Sequence, residues 1–225
     1  MALIINIDTA TVRGSVSLAR DGKVMQTLDS EEQRDHAATM VLFIQQLLKE
    51  QGISPAAVDA IAVSAGPGSY TGLRVGVATA KGLCYAWEKP LIAVSTLQMM
   101  AQGMLLQQQD AAALYCPMLD ARRMEVFTAV YNSKLEEVLP PQAMILEEGS
   151  YKELLAQHKV IFFGDGSPKW RQLLPAAENA AFAEYEMNAG DMSLLSEAAY
   201  TSKSFADLAY FSPFYLKPFF FPKKA

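Results

Sequence analysis

The sequence predicts an α/β protein made of two βββαβα subdomains that face each other across a cleft, the second of them reduced. The first observation is that short apolar segments follow the order βββαβαβ in the first half of the chain. The second is that this order returns loosely in the second half, although no repeat is visible residue by residue. The third is the composition, because 51% hydrophobic residues against 19% charged ones can fill a full core. Layers of sheet and helix of this kind favour two α/β units around a cleft.

The elements of the first half follow from local patterns. Apolar residues from Leu3 to Ile7 predict a strand, and Gly14–Arg20 and Lys23–Leu28 alternate apolar with polar residues. Between these two segments, Asp21-Gly22 is typical of a tight hairpin turn. The remaining predictions are a helix with Ala37, Met40, Val41, Ile44, Leu47 and Leu48 on one face, a strand at Ala60–Ser64, a helix at Leu73–Trp87 and a strand at Leu91–Ser95.

The second half is predicted in the same way. A polar, Gln-rich stretch at Ala101–Asp110 predicts the hinge, so we expect subdomains at 1–103 and 104–225. The prolines of SPFYLKPFFFP (Ser212–Pro222) exclude a helix interior, and we expect this aromatic tail to dock on the body, the alternative being a tail that binds a partner. The predicted strands are Leu114–Leu119, Glu125–Tyr131, Ala143–Leu146 and Val160–Gly164, and the predicted helices are Tyr151–Gln157, Lys169–Leu174 and Met192–Ser202.

Charge and cysteine content limit the classes of function. The net charge of −5 disfavours a basic stripe that grips a nucleic-acid backbone. Cys84 and Cys116 lie in apolar runs without metal-ligand spacing, which predicts buried free thiols in a reducing compartment. The start MALIINID lacks the features of a signal peptide, and no apolar run reaches the ~20 residues that span a bilayer. We therefore expect a cytoplasmic chain without a membrane segment.

The segment SAGPGSYTGLR, Ser64 to Arg74, is the most informative motif. It places three glycines within seven residues, between a predicted strand and a predicted helix. Glycine allows the backbone to approach another group closely, and a loop that leads into a helix N-terminus favours an anion such as phosphate. The pattern is neither a Walker A motif nor GxGxxG, so a phosphate site needs support from elsewhere in the chain.

Several strings carry a resemblance to a known family. They are IINIDTAT (Ile4–Thr11), SAGPGSYTGLRVGVATAKGL (Ser64–Leu83), YAWEKPLIAVSTL (Tyr85–Leu97), MLDARRMEVFTAVY (Met118–Tyr131) and PFYLK (Pro213–Lys217). With the duplicated element order, they resemble the TsaB (YeaZ) family of the actin-like ATPase and sugar-kinase superfamily. The resemblance implies two ribonuclease-H-like subdomains. It also implies a non-catalytic subunit that forms a heterodimer with its paralogue TsaD and works with the ATPase TsaE. That complex places a threonylcarbamoyl group on the adenosine beside the anticodon of certain tRNAs, so tRNA is reached indirectly.

The catalytic parts that the resemblance implies for TsaD are missing here. Thr96 and Met100 stand where TsaD has a His pair, and they cannot replace two imidazoles as ligands of a divalent metal. Where TsaD has a Gly-Gly-His turn, this chain has Asp120-Ala121-Arg122-Arg123, and we expect the arginines to pair with Asp120 or another acid. We therefore expect no catalytic residue, no metal and no cofactor bound by this chain alone, although a nucleotide at the subunit junction stays open. The residues of a candidate nucleotide or anion remnant are Asp8, Thr9, Gly66, Gly68, Ser69, Arg122, Gly164 and Gly166.

The resemblance further implies that the partner binds the first two helices. Gly72, Gly76 and Ala80 recur every fourth residue, a spacing that favours close approach of another helix, and the alternative is packing of this helix on its own sheet. Arg74 is left open between an ion pair across the interface and solvation. Without its partner the chain is expected to form a homodimer through the same surface. The predicted interface residues are Arg34, His36, Met40, Phe43, Tyr70, Gly72, Leu73, Gly76, Ala80 and Leu83.

Three other functions are compared with this one. An ATP-dependent small-molecule phosphotransferase of the same superfamily is the main alternative, but it needs a second phosphate loop and a base that the sequence does not supply. A peptidase lacks a His pair or a Ser/His/Asp set. The acidic charge disfavours a tRNA-binding module that acts alone.

Overall fold

A computed structural model describes residues 2–30, 36–174 and 178–217, which form two five-stranded sheets with helices. The first sheet contains β1 (Leu3–Asp8), β2 (Gly14–Arg20), β3 (Lys23–Ser30), β4 (Ala60–Ser64) and β5 (Leu91–Val94). The second contains β6 (Leu114–Asp120), β7 (Glu125–Tyr131), β8 (Glu137–Ile145), β9 (Val160–Phe163) and β10 (Ala180–Phe182). The helices are α1 (His36–Glu50), α2 (Tyr70–Trp87), α3 (Thr96–Gln107), α4 (Lys152–Gln157), α5 (Ser167–Leu173) and α6 (Ser193–Thr201).

The two sheets have the same topology. The strand orders are β3-β2-β1-β4-β5 and β8-β7-β6-β9-β10. In each sheet the central strand runs antiparallel to its hairpin partner and parallel to the next strand: Ile7 lies opposite Val63 in the first sheet, and Pro117 opposite Phe163 in the second. The predicted duplication of the βββαβα order is thereby confirmed. The second copy is reduced, since α4 and α5 have six and seven residues where α1 and α2 have 15 and 18.

The local sequence explains how α2 begins and ends. The Ser69 hydroxyl accepts a hydrogen bond from the Gly72 amide and thereby caps the helix N-terminus (3.3 Å). At the other end, Glu88 adopts the left-handed conformation, with φ of 54°, which stops the helix. The helix therefore starts at Tyr70, inside the glycine-rich motif, and its first turn follows directly on residues 65–69.

Two helices are exchanged between the halves. Helix α3 follows β5 but packs on the second sheet, where Leu97 and Met104 join the cluster around Tyr115 and Phe163. Helix α6 follows the last strand of the second sheet but packs on β1 and β5 of the first. One face of the first sheet is therefore covered by α1 and α2 and the other mainly by a helix from the far end of the chain.

Most predicted elements are confirmed, and the differences occur in buried or short segments. The predicted hinge at Ala101–Asp110 is helical as far as Gln107, so residue 103 lies inside α3. Helix α3 was not predicted because most of its residues are buried and it shows no apolar stripe against a polar face. The strand β10 has three residues and was also missed.

Cys84 and Cys116 are buried free thiols, as predicted, and burial raises the pKa of each to about 12. Within residues 2–30, 36–174 and 178–217, no helix has the length and apolar character needed to cross a bilayer.

Candidate functional site

The glycine loop between β4 and α2 (residues 65–69) lies against the turn that follows β1. Gly66 has φ of 107°, a backbone conformation that residues other than glycine rarely adopt. The Ser69 amide donates to the Ala10 carbonyl (2.7 Å), and a Cβ at Gly68 would lie 2.5 Å from the same carbonyl oxygen. The close approach that these glycines allow is therefore made, on this side, by the chain's own backbone.

Three small residues of α2, Gly72, Gly76 and Ala80, also face inward. A Cβ at Gly72 would overlap the Thr9 carbonyl oxygen, and one at Gly76 would overlap the Thr9 hydroxyl. That hydroxyl donates to the Gly72 carbonyl (2.7 Å), and Ala80 is fully buried with them. Gly72, Gly76 and Ala80 therefore pack on the chain's own first sheet, which is the alternative that the sequence left open. Because β1 and its turn occupy the space beside them, a role of these three positions in binding a partner stays a prediction that their own packing does not require.

The outer faces of α1 and α2 carry other residues. Leu42 of α1 is 61% exposed and Tyr85 of α2 is 81% exposed. Along α2, a shallow depression of about 430 Å³ opens to solvent. Of the other predicted interface residues, Met40 and Leu73 are buried, and Phe43, Tyr70 and Leu83 are half-buried. The residues that line the depression are Tyr70, Thr71, Arg74, Val75, Ala78 and Thr79.

Two predicted interface residues cannot be placed. Arg34 lies outside the described residues, and the described part of His36 is its backbone at the start of α1.

The segment Ala206–Lys217, here called the strap, crosses the glycine loop. It begins with a bridge between Ala206 and Leu91 of β5, and Lys81 of α2 donates to the carbonyls of Ala209 and Phe211 (3.1 Å each). The Phe214 amide donates to the Ala65 carbonyl (2.7 Å). As expected, this part of the tail docks on the body; residues 218–225 lie outside the described part of the chain.

The strap occupies the open side of the glycine loop. The Phe214 carbonyl oxygen stands so close to Gly66 that a Cβ there would overlap it. At its end, Lys217 pairs with Glu125 of β7, so the strap reaches from the first sheet to the second. A phosphate on this side of the loop would have to displace the strap.

Asp8, at the end of β1, is a buried carboxyl group. It is 1% exposed, and its Oδ1 accepts from the Ala10 amide (3.0 Å), whereas Oδ2 has no hydrogen-bond partner. Burial raises its pKa from 3.8 to about 6, against the opposing effect of the nearby Ser64 hydroxyl group. With a pKa of about 6, Asp8 is mostly ionised at pH 7 although it is buried, and it takes up a proton as the pH falls through about 6.

A second, half-buried carboxyl group, that of Asp191, lies near Asp8 in the segment before α6. Its Oδ2 accepts from the Tyr185 hydroxyl (2.6 Å) and from the Asn188 amide (3.0 Å). Burial raises the pKa of Asp191, and its charge contributes to the raised pKa of Asp8. No sequence pattern points to Asp191 and Tyr185, because only the crossing of α6 to the first sheet brings them near β1.

The turn at residues 120–123, which stands where TsaD has its Gly-Gly-His turn, is also closed by the chain's own groups. Asp120 pairs with Lys169 of α5 (2.6 Å) and accepts from the Arg122 amide (2.6 Å), so the contact of Arg122 is through its backbone. The expected pairing of the arginine side chains with Asp120 is replaced by the lysine pair. Burial raises the pKa of Asp120, but these hydrogen bonds outweigh that effect and leave the pKa below its usual value. Arg122 and Arg123 are exposed.

The remaining remnant residues pack against neighbours. A Cβ at Gly164 would lie 2.5 Å from the Met118 carbonyl oxygen, and one at Gly166 would lie 2.8 Å from Val126. Thr96 and Met100 are buried at the start of α3, with the Met100 methyl group beside Gly164. Among residues 2–30, 36–174 and 178–217, no three His, Cys, Asp or Glu side chains converge as metal ligands would.

Comparisons with known proteins identify the family. The sequence model of TsaD, tRNA N6-adenosine threonylcarbamoyltransferase, matches residues 28–213. The chain is 31% identical to the tRNA threonylcarbamoyladenosine biosynthesis protein TsaB of Bacillus subtilis over 176 residues, 76% of this chain and 74% of the relative. It is 39% identical to TsaB of Escherichia coli over 129 residues, 57% of this chain and 54% of the relative.

Solved structures give the same result. A protein with similarity to peptidase YEAZ from Pseudomonas aeruginosa superposes with a TM-score of 0.84 at 27% identity, covering 96% of this chain and all of that one. An inorganic polyphosphate/ATP-glucomannokinase from Arthrobacter superposes with a TM-score of 0.52 at 12% identity over 89% of this chain and all of the kinase chain, which shows a common fold alone. The chain therefore belongs to the TsaB (YeaZ) family, and its two five-stranded sheets with helices have the fold of two ribonuclease-H-like subdomains.

Proposed function

We propose that this chain is a non-catalytic activating or scaffold subunit in the formation of threonylcarbamoyladenosine beside the anticodon of tRNAs that read codons beginning with A. It forms a heterodimer with the paralogue TsaD, acts together with the ATPase TsaE in the cytoplasm, and meets tRNA through the complex. The names of its relatives, TsaB and tRNA N6-adenosine threonylcarbamoyltransferase, support this reaction.

One observation supports the non-catalytic role most directly. The glycines that could admit a phosphate are packed against the chain's own groups: Gly66 against the strap, Gly68 against Ala10 and Gly164 against Met118. A nucleotide phosphate needs backbone amides in open, glycine-lined space. A chain whose own atoms fill that space is suited to a structural role beside a catalytic relative.

The outer faces of α1 and α2 support the docking role. Leu42 and Tyr85 are large side chains left exposed on neighbouring helices, and Ala78 and Gly82 keep the surface between the turns of α2 low. Exposed apolar side chains beside a shallow depression are typical of a protein interface. We assign this face to TsaD, and to a second copy of the chain when TsaD is absent.

Reconstitution tests the function. The purified chain, TsaD and TsaE are mixed with tRNA, and threonylcarbamoyl transfer is measured with each protein omitted in turn. Transfer should require this chain in addition to TsaD. Transfer by this chain alone would contradict the non-catalytic role, and phosphorylation of a sugar by this chain with ATP would favour the phosphotransferase alternative.

Two substitutions test the docking face. Leu42→Asp and Tyr85→Asp should each weaken TsaD binding about 10-fold or more, because each places a carboxylate in a desolvated contact. Both side chains are mostly exposed in the free chain, so thermal unfolding should stay nearly unchanged. Ile145→Asp is the matched control: Ile145 is 66% exposed on β8 of the other subdomain and should leave binding intact. Equal binding by all three variants would place the interface elsewhere.

A further inference from the structure

Arg74 is a cation held in one orientation on the outer face of α2. Its guanidinium carbon lies 4.2 Å from the centroid of the Tyr70 ring, and its Nε donates to the Tyr215 hydroxyl oxygen (3.1 Å). The two tyrosine rings are 5.0 Å apart and inclined by 37°. An arginine stacked on one ring and bound to a second phenol has lost much of its rotamer freedom before any partner arrives.

The strap determines where Tyr215 stands. The preceding residue, Phe214, is bound through its amide to Ala65, and Lys217 is paired with Glu125. Because anchors lie on both sides of it, the Tyr215 phenol is directed at α2. The orientation of Arg74 therefore depends on a segment 141 residues further along the chain.

Arg74 still has unused binding capacity. None of the ion pairs among the described residues includes it, although the chain as a whole carries a net charge of −5. A guanidinium has five N–H donors, and Tyr215 takes the one on Nε. The two terminal nitrogens form the planar edge that binds a carboxylate in a bidentate manner.

The surroundings favour a protein carboxylate over a nucleic-acid phosphate. Besides Arg74 and Tyr70, the depression is lined by Thr71, Val75, Ala78 and Thr79, so its lining holds no second cation. The next cation along α2, Lys81, is bound to strap carbonyls. Binding of a nucleic-acid backbone draws on several lysines or arginines at once.

We infer that Arg74 anchors a carboxylate of the protein that docks on α2, and that Tyr215 of the strap is the positioning residue that fixes its orientation. This inference rests on the proposed docking function and names the contact that gives it specificity. Tyr215 thus belongs to the interface, although it lies far from α1 and α2 in the sequence.

A double-mutant cycle tests the inference. The affinity for TsaD is measured by calorimetry at low and high salt for the wild type, Tyr215→Phe, Arg74→Gln and the double variant. Tyr215→Phe keeps the ring on Tyr70 and removes the hydroxyl that accepts from Arg74, so binding should weaken about 5-fold; Arg74→Gln should weaken it about 20-fold and reduce the salt dependence. The double variant should equal Arg74→Gln, because the phenol acts through the guanidinium.

Controls separate positioning from folding. Tyr210→Phe makes the same change at an 87% exposed tyrosine of the strap and should leave affinity unchanged, and Arg74→Lys should not restore the bidentate contact. Thermal unfolding of Tyr215→Phe should match that of the wild type.

The contrary outcomes are distinct. If the wild type binds TsaD but Arg74→Gln binds equally well, or if the two substitutions have independent effects, this inference is overturned while docking stands. If the wild type does not bind TsaD, the docking proposal falls and this inference falls with it. If Arg74→Gln instead lowers the retention of tRNA by the chain and leaves TsaD binding unchanged, the anchor takes a phosphate and the assignment to a carboxylate is wrong.

Discussion

Replacement of Asp8 by asparagine should make the protein more stable at neutral pH. The carboxyl group is buried at the end of β1, its Oδ2 has no partner, and its pKa is raised from 3.8 to about 6. A raised pKa means that the folded state binds the proton more tightly than the unfolded one. Stability from this group is therefore fully present below about pH 4 and is lost as the pH rises through about 6. At 1.36 kcal/mol per pKa unit, the loss reaches about 3 kcal/mol at pH 8.

Asp8→Asn removes this loss and keeps an oxygen that can accept from the Ala10 amide. Its new amide hydrogens replace the unpartnered Oδ2 and reduce the benefit, so we expect a net gain of about 1–3 kcal/mol at pH 8. In a chain of this length, that gain corresponds to a rise in Tm of about 2–12 °C. Urea unfolding between pH 4.5 and 8 measures both the gain and the pH slope, and the wild type should lose more stability than the variant as the pH rises.

The control makes the same chemical change at Asp110, a carboxyl group whose pKa is lowered instead of raised. Asp110 pairs with Lys159 (2.9 Å), and this hydrogen bond lowers the pKa of Asp110. The stability that it contributes is present above the pKa of the unfolded state and is lost as the pH falls, so Asp110→Asn should destabilise the protein at neutral pH. If Asp8→Asn and the wild type show the same pH slope, the buried position of Asp8 does not govern this dependence and the reasoning is refuted.

Two further predictions concern packing. Gly76→Ala should destabilise the chain by about 1–3 kcal/mol because its Cβ would overlap Thr9, whereas Gly82→Ala in the same helix, with no atom within 4 Å of the new Cβ, should stabilise it by about 1 kcal/mol. Urea unfolding of the two variants compares them directly, and equal effects would contradict the inward orientation of Gly76. Trp170→Ala should cost about 3–5 kcal/mol, since this side chain is fully buried beside Tyr151 and Phe162. Trp170→Phe should cost clearly less, because it keeps an aromatic ring and removes an indole N–H that has no partner; a cost as large as that of alanine would show that shape alone decides the site.

The parts of the fold that sequence predicts are those fixed by neighbours along the chain. The Asp21-Gly22 pair predicts the hairpin of β2 and β3 from the sequence. Both residues adopt positive φ, at 53° and 73°, as the tight turn requires. The strands beside it have apolar patterns that need no distant information. In contrast, α3 is buried between the halves and shows no polar face, so its sequence has no helical stripe to detect.

The candidate site was predicted less well, because its contacts join residues that lie far apart in the sequence. The spacing of Gly72 and Gly76 predicts that something approaches α2 closely, but only the position of Thr9 decides that the close group belongs to the same chain. Tyr215 was noted as part of an aromatic tail, whereas its contact with Arg74 depends on the path of the strap. Long-range contacts of this kind leave no periodic signal in the sequence.

The exchange of α3 and α6 also determines what happens while the protein is being made. When β5 has left the ribosome, the first sheet has all its strands, yet the face that carries Ile4, Ala62 and Ile92 has no α6 to cover it. That helix begins at Ser193, about 100 residues after β5 ends at Val94, which is about 5–20 s of synthesis. During this interval the nascent chain presents an apolar sheet face to the solvent. The fold thus leaves this face open to aggregation until α6 has been made.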